Sequence, residues 1–170
     1  MTDAQKNYLA VHLKGCRVDD IGCGYSALRP LMHLFDYRGF DKEPIGTPNT
    51  YQVCLSKPCK LLRYDVAFVS WPVNWRSIAW HLFLPKYSEV IYVGSNHSGI
   101  CCGDPELWKS LGKREVLEVI PDSSETLIHY GASPRKDDAP TPCEEKWGRD
   151  AWEGGAMVRF VPNKFFGGSR

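Results

Sequence analysis

The chain has 170 residues and 19.3 kDa, with 43% hydrophobic and 12% aromatic content, enough to bury one sizeable core without covalent staples, so a compact single domain is the expectation. Twenty-one Lys and Arg against twenty Asp and Glu leave a formal net charge of +1, which excludes the strongly basic profile of a dedicated nucleic-acid binder while leaving local basic clusters open. The seven cysteines are odd in number and contain no Cys-x-x-Cys pair. That argues against a zinc site and against a disulfide framework.

In chain order, residues 3–13 suit a short amphipathic entry helix and residues 16–21 a first strand. A turn follows, then a helix-like stretch over 27–35, then a short strand over 37–41 that closes on a carboxylate. A Gly/Pro/Asn-rich connection (44–49) leads to a strand at 51–55. Residues 66–69 are four consecutive apolar residues, the pattern of a strand buried on both faces of a parallel sheet. A helix-like stretch over 75–84 ends at Pro85, and residues 89–94 form a second apolar strand that stops on a glycine. Residues 114–120 and 125–130, separated by Pro121-Asp122-Ser123-Ser124, read as an antiparallel hairpin. Alternation of strand and helix predicts an α/β domain over residues 1–131. Residues 132–170 carry several prolines and a charged run and read as an irregular extension that packs on the domain or on a partner, with strand character at 157–161. The first residues lack the order of a signal peptide, and no apolar run reaches about 18 residues. A reducing cytoplasm is the expected compartment, with the cysteines mostly buried as small hydrophobes.

The chemistry concentrates at three places. Val18-Asp19-Asp20-Ile21-Gly22-Cys23-Gly24-Tyr25-Ser26 runs from a strand into Gly-x-Gly; glycine there supplies positive φ and a bare backbone that a ligand can approach. Asp41 lies about 20 residues beyond this turn, where nucleotide-binding α/β folds place the carboxylate that accepts ribose hydroxyls. Such bonds are charge-assisted, so an acid is chemically apt. Ser70-Trp71-Pro72-Val73 then stands at the carboxyl end of a buried strand, and the small, polar loop 94–104, with His97, projects from the next. Trp71 and Trp75 flank the same edge and suit stacking on a planar acceptor, while His97 suits proton transfer near neutral pH.

Asp20, Ile21, Gly22, Cys23 and Gly24 match the first motif of class I S-adenosylmethionine-dependent methyltransferases, and Ser26 stands where that motif has its third glycine. The chain resembles this family over about residues 18–130. The resemblance implies a Rossmann-like class I methyltransferase fold, a mostly parallel sheet with a C-terminal antiparallel hairpin, and S-adenosylmethionine as cofactor. It places Asp20, Gly22, Cys23, Gly24, Ser26, Asp41 and Ser70 at the cofactor and matches Ser70 and Pro72 beside the acceptor; with Trp71 and His97, read from their own segments above, Ser70, Trp71, Pro72 and His97 are the candidate catalytic residues. Ser70 and Pro72 fit the family's fourth motif as it occurs in amino-group methyltransferases, whereas Trp71 replaces its first proline and Val73 its aromatic. The acceptor stays unidentified, with an amino group among the candidates; nucleic acid is not indicated by net charge, and neither a metal nor a membrane is implied. Only 40 residues separate Gly24 from Tyr64, which predicts a reduced or open adenine pocket drawing on residues 51–60. The acceptor is expected to enter between residues 70–75 and 94–104. A Gly22→Val change is expected to block the ligand and spare the fold. Two other readings remain: a methyltransferase-like binding protein without catalysis, and a nicotinamide-dinucleotide oxidoreductase, against which the missing third glycine and the short chain both argue.

Overall fold

The computed structural model describes residues 1–43, 45–46, 48–57, 64–72, 78–94, 105–121 and 156–163. Helix α1 (Asp3–His12) opens on a capping box in which the Thr2 hydroxyl accepts from the Gln5 amide at 3.3 Å and the Gln5 side chain accepts from the Thr2 amide at 3.0 Å. Two of the helix's orphan donors are thereby satisfied. Its Leu9, with Leu13 just beyond the helix, packs beneath the sheet.

Seven strands follow: β1 (Arg17–Ile21), β2 (Asp36–Asp41), β3 (Thr50–Gln52), β4 (Val66–Ser70), β5 (Glu89–Gly94), β6 (Arg114–Pro121) and β7 (Ala156–Pro162), in the spatial order β3-β2-β1-β4-β5-β7-β6. The first five run parallel, and β7 is antiparallel to both its neighbours. Because side chains alternate across a strand, Ala67 and Val69 join one core with Phe40, Val90 and Tyr92, and Val66 and Phe68 join the other with Val18, Ile91 and Val93. One core is closed by α2 (Trp80–Phe83) and α3 (Pro105–Leu111), the other by α1 and the segment after the glycine turn. The unbroken apolar runs at β4 and β5 thus have the cause expected of them, burial on both faces.

Three local expectations change. The stretch after the turn is a 3-10 helix, Arg29–Leu34, not an α-helix. Fourteen residues (22–35) must make the turn and then run back along β1, and 3-10 geometry rises about 2.0 Å per residue against 1.5 Å for an α-helix, so it covers the distance with fewer residues. The helix expected over 75–84 is α2, shorter and later, passing into a 3-10 turn, Leu84–Lys86, where Pro85 cannot supply an α-helical amide; residues 75–77 lie outside the described residues. Helix α3 was not among the predicted elements.

Of the predicted hairpin, only the first strand falls among the described residues. Strand β6 pairs with β7, from Arg114↔Pro162 to Pro121↔Ala156, and residues 125–130 lie outside the described residues. Strand β7 carries buried Ala156, Met157, Val158 and Phe160 and takes the interior slot, whereas β6, with Leu117 41% exposed, is the outermost of the described strands. The strand predicted at 157–161 is therefore inside the sheet, which draws on residues both before and after position 131. No helix among the described residues is long and apolar enough to cross a membrane.

Candidate functional site

Register aligns the carboxyl ends of three strands. Ile21 is opposite Phe40 and Asp20 is opposite Phe68, so Asp41, Gly22 and Ser70 stand level on adjacent strands about 4.8 Å apart. At this edge the chain turns sharply: Gly22, Gly24 and Ser26 have φ of +73°, +47° and +51°, the left-handed region that β-carbons disfavour. The turn is fastened to β2. The amides of Gly22 and Cys23 donate to the Phe40 carbonyl at 2.7 and 3.2 Å, and that of Gly24 donates to Asp41 Oδ2 at 2.9 Å. Asp41 Oδ1 accepts from the Glu43 amide at 2.9 Å. Asp41 is thus placed at the turn, but it is only 2% exposed and acts as the clasp between turn and strand.

Beneath the turn lies a second carboxylate. Asp20 is fully buried; its Oδ2 accepts from the Ser26 hydroxyl at 2.6 Å and the Tyr37 hydroxyl at 3.2 Å, and its Oδ1 has no partner among the described residues. Burial pushes its carboxyl up to about 7, against the opposing pull of the Ser26 and Tyr37 hydrogen bonds. The Ser26 hydroxyl also accepts the Leu28 amide at 3.1 Å. Serine in the third glycine position therefore meets the left-handed conformation with two hydrogen bonds that glycine lacks. Asp20 holds the turn from below and is a positioning residue.

Cys23 likewise points inward. Its thiol is buried and pushed up to about 12, first by burial and then by Asp20 and Asp41. It packs over Gly39, where a β-carbon would stand 2.9 Å from the Cys23 sulfur and 2.6 Å from the Tyr37 hydroxyl. Gly39 and Tyr37 thus let the turn settle onto β2. Sequence reasoning missed both, since their part depends on what crosses over them. Cys16 is half-buried and Cys54 exposed, so the expectation of mostly buried cysteines holds fully only for Cys23 among the described three.

By contrast, no protein atom among the described residues lies within 4 Å of where a Gly24 β-carbon would stand. Among the described residues the turn thus presents uncovered backbone, which fits the close approach of a ligand. Above Gly22, a β-carbon would meet Ile78 Cδ1 at 3.7 Å, an ordinary contact. Ser70 is half-buried, Pro72 buried, and Trp71, between them, adopts φ +45° while its amide donates to the Val93 carbonyl at 2.7 Å. Proline holds φ near −65°, so this backbone path is one the motif's first proline could not follow. Val73, Asn74, Trp75, His97 and the loop 95–104 lie outside the described residues.

A further charged cluster went unread in the sequence. Asp19, buried on the opposite face of β1, receives both guanidinium donors of Arg38 at 2.9 and 3.0 Å, the Tyr87 hydroxyl at 2.7 Å and the Tyr64 amide at 3.3 Å. Burial raises its carboxyl; the Tyr87 hydrogen bond and Arg38 oppose that. The cluster ties β1 and β2 to the residues that lead into β4 and β5, below the site. Its signal was only the Asp19-Asp20 pair, of which one had to face the other core.

No family model matches the chain, and no curated protein matches it. Solved structures do. It is similar to the magnesium protoporphyrin IX methyltransferase of Synechocystis PCC 6803 with bound S-adenosylmethionine, at TM-score 0.54 and 14% identity over 95% of this chain and 77% of that one. The N-methyltransferase NodS of Bradyrhizobium japonicum WM9 matches at TM-score 0.54 and 12% identity, over 95% of this chain and 97% of the other. A methyltransferase of Geobacter sulfurreducens with S-adenosyl-L-homocysteine matches at TM-score 0.51 and 14% identity, over 96% and 92%. The fold is that of the class I S-adenosylmethionine-dependent methyltransferases, in the strand order above with β7 antiparallel between β5 and β6.

Proposed function

We propose that this protein is an S-adenosylmethionine-dependent methyltransferase that uses the carboxyl edge of its sheet. The observation that carries the reading is the glycine turn of β1, uncovered at Gly24 among the described residues and clasped by Asp41 at the end of β2. When bound, S-adenosylmethionine supplies a methyl group already activated on a sulfonium. The chain's own work is then to bind and align. Gly22 and Gly24 admit the ligand to the backbone, Asp41 accepts the ribose hydroxyls alongside its amide partners, and Ser70, level with Gly22, stands where the acceptor meets the turn. Positioning of this kind contributes on the order of 7–11 kcal/mol in favourable cases. Asp20 does not serve as the base, although its carboxyl lies near neutrality: it is sealed beneath the turn, and geometry precedes pKa. If the acceptor must lose a proton, His97 is the proposed group.

The strand order also bears on the oxidoreductase reading, because the dinucleotide-binding fold in its usual form has the order 3-2-1-4-5-6 without an antiparallel strand between the last two. One observation favours the binding protein without catalysis as a second reading, namely the φ of +45° at Trp71. An Asx-Pro-Pro loop cannot take this path, so the segment supports no particular acceptor chemistry, an amino group included.

Titration calorimetry with S-adenosylhomocysteine tests the cofactor, and transfer of isotopically labelled methyl from S-adenosylmethionine to nucleic acid, protein and small-molecule acceptors tests the reaction. Saturable binding with transfer is the expected result. Absence of binding overturns the proposal, and binding without transfer to any acceptor replaces it with the second reading.

A further inference from the structure

A cavity of about 220 Å³ lies at the opposite edge of the sheet, lined by His81, Pro85, Ser110, Lys113, Arg114 and Asn163 among others. Arg114 begins β6 and pairs with Pro162 at the end of β7, while Ala156, at the other end of β7, pairs with Gly94. The cavity is therefore a strand's length from the glycine turn, about 20 Å for six residues.

Its electrostatics are one-sided. Arg114 is 8% exposed, and its Nη2 donates to the carbonyls of Leu84 and, at 2.7 Å, Tyr87. Those bonds fix the guanidinium, yet its Nη1 has no partner and no carboxylate pairs with it among the described residues. A buried cation left without counter-charge is costly, and an anion in reach of it relieves that cost. Lys113 adds a second positive charge, and the buried Ser110 belongs to the same lining. His81, also in the lining, is engaged by Glu106 at 3.0 Å. We propose that this cavity is a binding site for a small oxyanion, a phosphate or carboxylate group held by Lys113 in the field of Arg114's uncompensated charge and separate from the glycine-turn site. Its volume favours such a ligand, since pockets for drug-sized molecules measure about 300–1,000 Å³.

The test uses the full chain and thermal melts at constant ionic strength, chloride being exchanged for inorganic phosphate in one series and for acetate in another. A ligand that binds only the folded state raises Tm in a saturable way. The expected result is a saturable rise with at least one of the two anions. In Lys113→Gln the rise should need at least severalfold more anion, while the melt in chloride stays close to wild type because Lys113 is exposed. Lys113→Arg should retain the response. Whichever anion saturates identifies the group recognised. A rise that never saturates, or one unchanged in Lys113→Gln, reports a general salt effect and overturns the proposal. So does the absence of any rise. S-adenosylhomocysteine affinity, measured with and without the anion, should not change, so this outcome is independent of the cofactor reading.

Discussion

At the scale of single residues, the two carboxylates of the site do different work. Asp41 joins turn to strand, so Asp41→Asn keeps an oxygen for one amide and removes the charge. S-adenosylhomocysteine affinity should fall by about 1.5–3 kcal/mol, roughly 10- to 150-fold, as for other hydrogen bonds to charged groups. Calorimetry on the folded variant reads this directly, and wild-type affinity would move the ribose contact elsewhere. Asp20 carries a pH dependence instead. Its carboxyl is raised from 3.8 to about 7 in the folded protein, so between these values the folded state keeps a proton that the unfolded chain has released. The contribution of this group to stability is thus greatest below about pH 4 and is lost as pH rises to about 7, by linkage. Wild-type Tm should therefore fall across pH 4–7, and Asp20→Asn should flatten that fall; an equal fall in both proteins would mean that other groups cause it. Gly22→Val, first expected to spare the fold, does not isolate the ligand. At φ +73° a branched residue is strained by roughly 1–2 kcal/mol or more before any ligand arrives.

Among the elements, β2 and the end of β4 set the site's shape. A β-carbon at Gly39 would press on the Tyr37 hydroxyl and the Cys23 sulfur, both within 3 Å and both buried. Gly39→Ala should lower stability by about 1–3 kcal/mol, the usual range for overpacking, seen as a lower urea midpoint with unchanged slope; a wild-type midpoint would show that the turn can lift freely off β2. Trp71→Pro would bring the segment nearer to the amino-methyltransferase pattern in letters alone. It removes the amide bonded to Val93 and demands a different φ, so it should destabilise by about 3 kcal/mol or more and add no activity toward amines. A stable, amine-active variant would contradict the geometry found here.

For the molecule as a whole, the position of β7 decides what can stand alone. Truncation after residue 131 removes the strand that pairs with both β5 and β6 and leaves the fully buried β5 as a raw edge. Unpaired, apolar edges recruit other chains. The truncated protein should be aggregated or lack a cooperative melt, as judged by size-exclusion chromatography and circular dichroism; a soluble, cooperative monomer would make residues 132–170 dispensable to the fold. What the amino-acid sequence by itself determined was local: the glycine turn, the spacing to Asp41, and the unbroken apolar runs of β4 and β5, each readable because a few neighbouring residues suffice to specify it. Tertiary structure alone decided that β7 inserts beside β5, that the segment after the turn is a 3-10 helix, that Asp20 faces the turn while Asp19 faces Arg38 and Tyr87, and that Arg114 closes one side of a cavity. Each of these depends on partners distant in the chain, and strand partnership and the environment of a buried charge are properties of the assembled sheet, which no local pattern encodes.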